Sequence, residues 1–333
     1  SIGVGVGGKT LAELDEFALA SLDLALGRGG DQAVVKKRNR VEYFGGKLQT
    51  VEKRNKGKSR IMAHALRQMI DQSGKVIIMG HRNPDMDSFG SALGISRIVK
   101  NRNKEGAIII GNFGTAINRL YQKAADSGQY RFISPDEARV IVDKDTLLIV
   151  LDTHRPSLLD NPDILSMTDK VVVIDHHRKA EDSIDSATLT YMESYASSTS
   201  ELVAEILQYM DDGKKKIEKL EAEALLAGII VDTKSFSIKT GARTFEAASW
   251  LRRNGADTAN VRQFFQTDMD SFKLKATIIA DAEVIAGGIA ISVCEGNHKN
   301  VQIITSQAAD ELLNIQGIRA SFVVGSSDTG LSV

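Results

Sequence analysis

The chain has 333 residues, and its 42 Lys and Arg nearly balance its 43 Asp and Glu, so the formal charge is −1. That balance hides a local excess: Lys36 to Arg60 carries ten basic residues against Glu42 and Glu52, a net +8 that leaves −9 for everything else. A single cysteine, Cys294, excludes an internal disulfide and a cysteine-rich zinc site, and no window approaches 18 uninterrupted apolar residues.

The length suggests two or three domains, and a 42% hydrophobic content is that of an ordinary globular chain. There is no initiator Met, and the sequence opens in an apolar run, Ile2 to Val6, so it reads as a fragment. Residues 1 to 20 lack the basic start and apolar centre of a signal peptide. Apolar residues at helical spacing follow from Leu11 to Leu26, then a turn at Gly27 to Gly30 and a short strand at Val34 and Val35. The basic stretch reads as a solvated linker, with phosphate attraction as the sharper alternative. It runs into a helix from about Ser59 to Ile70.

From residue 75 the pattern changes. Short β-branched runs at Val76 to Met79, Ala107 to Ile110, Leu147 to Leu151 and Val171 to Ile174 alternate with segments of helical length. Asn83-Pro84, Ser134-Pro135 and Arg155-Pro156 sit at the turns. This predicts an α/β domain with a largely parallel sheet flanked by helices. Lys216 to about Ile230 and Thr244 to Asn254 read as further helices. Strands at Ala282 to Ala286, Gly288 to Val293 and Ile318 to Val324 then suggest a small α/β module at the end.

Histidines and aspartates gather just after the apolar runs. His81-Arg82-Asn83-Pro84-Asp85-Met86-Asp87-Ser88 follows the first, Asp152 the third, Asp175-His176-His177 the fourth, and Asp232 comes after Ala227 to Val231. Ligands bind outside the carboxyl ends of parallel strands, so these distant segments should converge. Carboxylates with imidazole and no thiolate suit Mn²⁺, or a Mg²⁺- or Co²⁺-like ion, better than structural zinc. Gathering Asp85, Asp87, Asp152 and Asp232 would be costly unless the charge were neutralised, and these segments hold no equal number of Lys or Arg. Two divalent ions would neutralise it, with His81 and His176 as neutral donors. Taken singly, each aspartate also reads as a helix cap or turn residue.

The ordered set His81-x-x-x-Asp85-x-Asp87-Ser88, Asp152, Asp175-His176-His177 and Asp232 resembles the DHH phosphoesterase superfamily, over about residues 56 to 265. That superfamily includes RecJ-type nucleases, family II pyrophosphatases and cyclic-dinucleotide phosphodiesterases. The resemblance implies two Mn²⁺ ions, with Mg²⁺ or Co²⁺ as substitutes. It implies that His81 and Asp85 hold one ion, that Asp87, His176 and Asp232 hold the other, and that Asp152 bridges both. His177 would face the scissile phosphate, with water activated by the two ions as nucleophile. Arg82 and Asn83 are expected to bind phosphate or developing charge. Ser197-Ser198-Thr199-Ser200-Glu201 has the spacing of a capping box, and Ser198 and Thr199 are also candidates for phosphate contact. Arg243 is open between pairing with an acidic neighbour and orienting substrate, and His154 is expected to support the site from behind.

The flanks narrow the choice of substrate. Ile2 to Val6 with the helix through Ser21 to Leu26 resembles the closing strand and helix of a GGDEF-type domain, although Gly29-Gly30-Asp31 is not that family's signature. A GGDEF-like start, a DHH domain and a DHHA1-like module together resemble the GdpP-type cyclic-di-AMP phosphodiesterases. The expected division is 1–55 for the GGDEF-like piece and basic linker, 56–265 for the DHH catalytic domain, and 266–333 for a DHHA1-like substrate-binding domain. The resemblance implies hydrolysis of cyclic di-AMP to linear pApA, no binding of double-stranded nucleic acid, a homodimer, and a cytoplasmic catalytic part of a membrane-anchored protein. The family's glycine-rich Gly-Gly-Gly-His segment does not occur before Val333, so a chain ending there is expected to grip nucleotide less well. A DHH-type oligoribonuclease or pAp phosphatase, and a nucleotide-binding module without turnover, are the alternatives.

Overall fold

The computed structural model describes residues 1–28, 30, 32–38, 40–45, 56–210, 216–296, 298, 301–327 and 330–332. These form two compact units, residues 1–264 and 265–333. Gly29 and Asp31 of the glycine-rich turn, much of the basic stretch (46–55) and Val333 lie outside the described residues.

The first unit begins with β1 (Ile2–Gly5), α1 (Leu11–Gly27), β2 (Gln32–Lys37) and β3 (Arg40–Gly45). β1 and β2 pair in parallel with α1 as the crossover, and β3 returns antiparallel beside β2. Thr10 caps α1 by accepting from the Glu13 N–H. β3 corrects the expectation of a linker from Lys36 onward. Its Val41, Tyr43 and Phe44 favour a strand, and Glu42 answers the local charge by pairing with Lys37 at 3.0 Å and with Arg40.

The larger part of the unit runs α2 (Lys56–Asp71), β4 (Lys75–Met79), α3 (Met86–Asn101), β5 (Glu105–Ile109), α4 (Asn118–Asp126), β6 (Phe132–Ile133), α5 (Pro135–Ile141), β7 (Thr146–Leu151), β8 (Lys170–Asp175), β9 (Leu189–Met192), α6 (Thr199–Met210), α7 (Lys219–Asp232), α8 (Ala242–Arg253) and α9 (Thr258–Phe264). The strands form one all-parallel sheet in the order β6-β5-β4-β7-β8-β9. Val76, Ile78, Leu147, Ile149 and Val172 pack on one face among α2, α3, α6 and α7. Ile77, Met79, Leu148, Val150 and Val173 pack on the other, with Ala138, Leu159 and Ile164. Both faces are covered, so the strands are continuous apolar runs rather than alternating ones. Cutting Ile149 back to alanine would cost about 2–5 kcal/mol.

The strand order fixes where a ligand can sit. From β4 the chain builds outward to β5 and β6, then returns to add β7 on the opposite side of β4. The carboxyl ends of β4 and β7 therefore bracket the crevice at a topological switch point. α3 and α7 approach closely above it. A Cβ at Gly90 would lie 2.4 Å from the Ala224 carbonyl oxygen, so only glycine permits this spacing.

The second unit contains α10 (Met269–Ala280), β10 (Glu283–Ile285), β11 (Ile289–Cys294), α11 (Val301–Leu313), β12 (Ala320–Ser327) and β13 (Gly330–Ser332). β11 and β12 are parallel and joined by α11, with β10 and β13 antiparallel at the edges. Ile278, Ala290, Val301, Ile304, Ala308 and Val323 form its core. Among the described residues no helix is long and apolar enough to cross a membrane.

Candidate metal centre and its cleft

Each expected metal-ligating residue lies at the end of an element, and the fold brings them together. His81 follows β4, and Asp85 caps α3, its Oδ1 accepting from the N–H groups of Asp87 at 2.9 Å and Ser88 at 3.0 Å. Capping and proximity to His81 hold for Asp85 at once. Asp152, the residue after β7, has a left-handed φ of 59° and donates its N–H to the Ile174 carbonyl at 3.0 Å. A non-glycine residue in that region is strained, and such strain is concentrated at functional positions. Asp232 is the last residue of α7, so it reaches the crevice from a helix rather than a strand.

Two sets share this place. His81 Nε2 lies 3.5 Å from Asp152 Oδ2 and 3.9 Å from Asp85 Oδ1. His176 Nε2 lies 2.9 Å from Asp232 Oδ2, 3.5 Å from Asp152 Oδ1 and 3.9 Å from Asp87 Oδ2. The groups His81, Asp85, Asp152 and Asp87, His176, Asp232 each converge closely enough to hold an ion, and Asp152 with His176 and His177 forms a third such group.

The electrostatics fit a cation. Burial and then the charge of Asp232 push the Asp87 carboxyl up to about 6. Burial, followed by the charges of Asp87 and Asp85, holds Asp152 well above the usual carboxylate range. His176 is 4% exposed, and its Nε2 lies against Asp232, Asp152 and Asp87 without a well-aligned hydrogen bond to any of them. A buried imidazole nitrogen facing three carboxylates is a donor set that divalent ions satisfy.

Supporting contacts hold the carboxylates. The backbone N–H groups of Thr199 and Ser200, at the start of α6, donate to Asp87 Oδ2 at 2.7 Å and Oδ1 at 2.8 Å. The Thr199 hydroxyl donates to Asp152 Oδ1 at 3.0 Å. A Cβ at Gly228 would come within 2.7 Å of Asp87 Oδ1, so glycine leaves room for the carboxylate behind α7. Asp175 organises the histidines. His154 Nδ1 lies 2.5 Å from Asp175 Oδ2, while its Nε2 accepts the Ala180 N–H at 2.8 Å, which assigns the proton to Nδ1. His177 Nδ1 lies 2.8 Å from Asp175 Oδ1, leaving Nε2 for the cleft. Burial raises the Asp175 carboxyl, but hydrogen bonds with His154 and His177 outweigh it and keep it far below its ordinary value.

The crevice opens into a cleft of about 760 Å³ walled by His81, Asp85, Asp152, His154, Arg155, His176, His177, Arg178, Tyr195, Asp232, Lys239 and, from the N-terminal piece, Arg28. Several expected substrate contacts lie elsewhere. Arg243 is 8% exposed, paired with Glu205 (Nη2 to Oε2 2.6 Å) and 3.2 Å from the Tyr191 hydroxyl. Ser198 is buried, its hydroxyl accepting the Glu201 N–H at 3.0 Å, and Thr199 holds carboxylates from behind. None of the three is on the cleft wall: Ser198 and Thr199 belong to the start of α6, which is packed under the ligands, and Arg243, in α8, is buried against Glu205 and Glu201 of α6. Arg82 is exposed and donates to the Ser157 carbonyl, and Asn83 is exposed with a φ of 53°; neither lines the cleft. Sequence reasoning missed Arg28, Arg178 and Tyr195, and reached Lys239 only as the first residue of the segment that carries Arg243. Only Arg178, directly after His177, carried a positional signal.

Residues 75–229 match the DHH family, N-terminal domain. Residues 75–229 belong to the DHH family. Residues 1–43 match the GGDEF domain of the cyclic-di-AMP phosphodiesterase GdpP-like type, so the DHH domain follows a GGDEF-like piece. The cyclic-di-AMP phosphodiesterase GdpP of Geobacillus thermodenitrificans (strain NG80-2) is 46% identical over 99% of this chain and 51% of its own length. The cyclic-di-AMP phosphodiesterase PdeA of Listeria monocytogenes serotype 1/2a (strain 10403S) is 40% identical over 97% of this chain and 50% of its own. The chain thus spans about half the length of these relatives. Among solved structures, an exopolyphosphatase-related protein from Bacteroides fragilis shares the fold, with a TM-score of 0.70 at 19% identity, covering 85% of this chain and 83% of that one.

Proposed function

We propose that the chain hydrolyses one 3′,5′ linkage of cyclic di-AMP to linear pApA, using two divalent ions, Mn²⁺ in the first instance. The observation that carries this reading is the convergence of the two His and Asp sets at one cleft, with Asp152 between them, its carboxylate oxygens 3.5 Å from His81 Nε2 and 3.5 Å from His176 Nε2. The 46% identity to a GdpP cyclic-di-AMP phosphodiesterase supports the choice of substrate. His81 and Asp85 would hold one ion, Asp87, His176 and Asp232 the other, and Asp152 would touch both. Bound there, the ions would lower the pKa of water and neutralise phosphoryl charge.

The remaining chemistry falls to the chain's own groups. Asp87 and Asp152 are held in place by α6 before substrate arrives, so little reorganisation is needed at the moment of reaction. Asp175 fixes the His177 ring through Nδ1. In its imidazolium form His177 can donate from Nε2 to a phosphoryl oxygen or to the departing 3′ oxygen. Water adds to phosphorus, the P–O3′ bond breaks, and the phosphate stays on the 5′ carbon. Tyr195 and Leu158 give the cleft apolar wall for a nucleobase. Residues 266–333 would bind substrate, as the DHHA1-like resemblance suggests. For the whole protein, the reading extends to a homodimer anchored at the membrane, which sedimentation and membrane fractionation would test.

The direct test is product analysis after incubating the protein and Mn²⁺ with cyclic di-AMP, cyclic di-GMP, pApA and a short RNA in parallel. The expected result is preferential conversion of cyclic di-AMP to pApA. Cutting of RNA with cyclic di-AMP untouched would replace this reading with an oligoribonuclease, and nucleotide binding without turnover would replace it with a regulatory module.

A further inference from the structure

We propose that the N-terminal piece completes the catalytic cleft, with Arg28 as a substrate-binding residue for a phosphate other than the one being cut. This rests on the reading of the cleft as that of a phosphodiesterase acting on a substrate with two phosphates.

Three observations carry it. First, Arg28 stands at the end of α1, outside the DHH domain, yet it lines the same cleft as His177, Arg178 and Lys239. Second, its side chain is held by partners that, among the described residues, do not neutralise it. Nε donates to Gln32 Oε1 at 3.0 Å, Nη1 donates to the Lys179 carbonyl at 3.4 Å, and the guanidinium carbon lies 4.1 Å from the centre of the Tyr43 ring. None of these partners is anionic, and among the described residues no carboxylate pairs with Arg28. Arg155 on the same wall is neutralised by Asp182 at 2.7 Å. A guanidinium has five N–H donors in a planar fork, so the bonds in place leave donors for a phosphate.

Third, the N-terminal piece is fastened to the segment that follows His177. Lys36 pairs with Glu181 at 2.9 Å, and Lys179 pairs with Asp23. Gly27 sits so close to Lys179 that a Cβ there would lie 2.9 Å from its Cδ. Arg28 is therefore fixed relative to the histidine that faces the reacting phosphate.

The chemistry supplies the reason. The floor of the cleft is carboxylate, and divalent ions there would answer one phosphate. The second phosphate of a cyclic dinucleotide, on the opposite side of the ring, keeps its charge and needs a cation on the wall. A fixed guanidinium meets that need with little ordering cost, and it can bond two phosphate oxygens at once. A diester with a single phosphate has no such requirement.

The experiment compares the full chain with Arg28→Ala and Arg28→Lys in Mn²⁺, on cyclic di-AMP and on bis(4-nitrophenyl) phosphate. Equilibrium binding of cyclic di-AMP is measured in parallel in EDTA, where nothing turns over. Arg28→Ala is expected to raise KM for cyclic di-AMP about tenfold, with a much smaller change in kcat, and to weaken binding in EDTA by a similar factor. The loss on the one-phosphate diester should be at least about fivefold smaller, and Arg28→Lys should recover part of the binding. Melting curves for each variant separate this from unfolding; if Arg28→Ala melts early, the Lys variant and the ratio between the two substrates decide. Equal losses on both substrates would reduce Arg28 to a structural residue and overturn the proposal, as would unchanged binding. An unmodified chain that cleaves the one-phosphate diester but neither binds nor cleaves cyclic di-AMP would overturn the substrate reading, and this proposal with it.

Discussion

The two candidate ligand sets share Asp152 yet sit in different surroundings. In the deep set, Asp87 is fully buried and His176 nearly so, and both carboxylate oxygens of Asp87 are clamped by the α6 backbone. In the open set, the side chains of His81 and Asp85 are 21% and 41% exposed, and Asp85 gives Oδ1 to capping α3. A buried carboxylate without a counter-charge is costly, so a cation bound at the deep set would relieve a larger penalty than one at the open set. The open set can exchange its ligands with solvent and substrate. The difference teaches that one crevice can hold a fixed post and an accessible one, built from the same residue types, by placing one behind a helix N-terminus and the other at the mouth.

Breaking the shared residue should have the largest effect. Asp152→Ala is expected to abolish cyclic di-AMP turnover while far-UV circular dichroism stays that of the native fold; activity within tenfold of the unmodified chain would show that the two sets do not work as one. The next substitution separates them. Asp87→Asn puts an amide NH₂ against a backbone N–H, and we expect about a 100-fold loss of Mn²⁺ affinity, against about tenfold for Asp85→Asn, by calorimetric titration. Losses of equal size would erase the distinction between deep and open. Comparable to Asp85→Asn and smaller than Asp87→Asn, Thr199→Val removes the hydroxyl that donates to Asp152 Oδ1 at 3.0 Å and should weaken Mn²⁺ binding about tenfold. An unchanged affinity would mean that the backbone alone positions the carboxylates.

Much of this arrangement is legible in the sequence because parallel strands announce themselves as apolar runs and chemistry must sit at their ends. His81, Asp85, Asp152 and His176 could be located by that argument alone. Asp232 was found by its position after Ala227 to Val231, at the end of the stretch from Lys216 that reads as a helix, and α7 ends on it. The side of an element is harder to read. Ser198, Thr199 and Arg243 are polar residues at helix starts, which fits either a substrate contact or a buried support, and only packing decides that α6 lies under the ligands. Asp175 carries the motif but not its role, since anchoring His154 and His177 needs a fold that brings residues 154 and 175 together. β3 was hidden because its charge pattern outweighed a short alternation. Arg28 was beyond reach: it meets Lys179 across about 150 residues of chain, and no local pattern encodes such a contact.

The smallest expected effect concerns protons competing with metal, and it sharpens the comparison most directly. In the metal-free protein the carboxyl of Asp87 titrates at about 6, above the 3.8 of an unperturbed aspartate, and burial raises Asp152 in the same direction. A raised carboxyl means that the folded chain holds more protons than the unfolded one. Its contribution to stability is therefore complete below about 3.8 and is lost as pH rises through about 6. Asp175, whose carboxyl is depressed, has the opposite sign: its contribution is present above about 3.8 and fades on acidification. Comparing each pH with and without Mn²⁺ cancels the Asp175 effect and isolates the metal-ligating groups: the deep carboxylates and the His176 imidazole, which burial pushes down but the neighbouring Asp232 and Asp87 carboxylates hold above its ordinary value. The rise in melting temperature on adding Mn²⁺ should be larger at pH 7.5 than at pH 5, where protons already neutralise Asp87. Asp87→Asn should reduce that difference, leaving the part that His176 contributes, whereas Asp85→Asn should leave most of it. An equal Mn²⁺ shift at both pH values would mean that neither the deep carboxylates nor His176 holds a proton that metal must displace, and that burial does not set the dependence on metal.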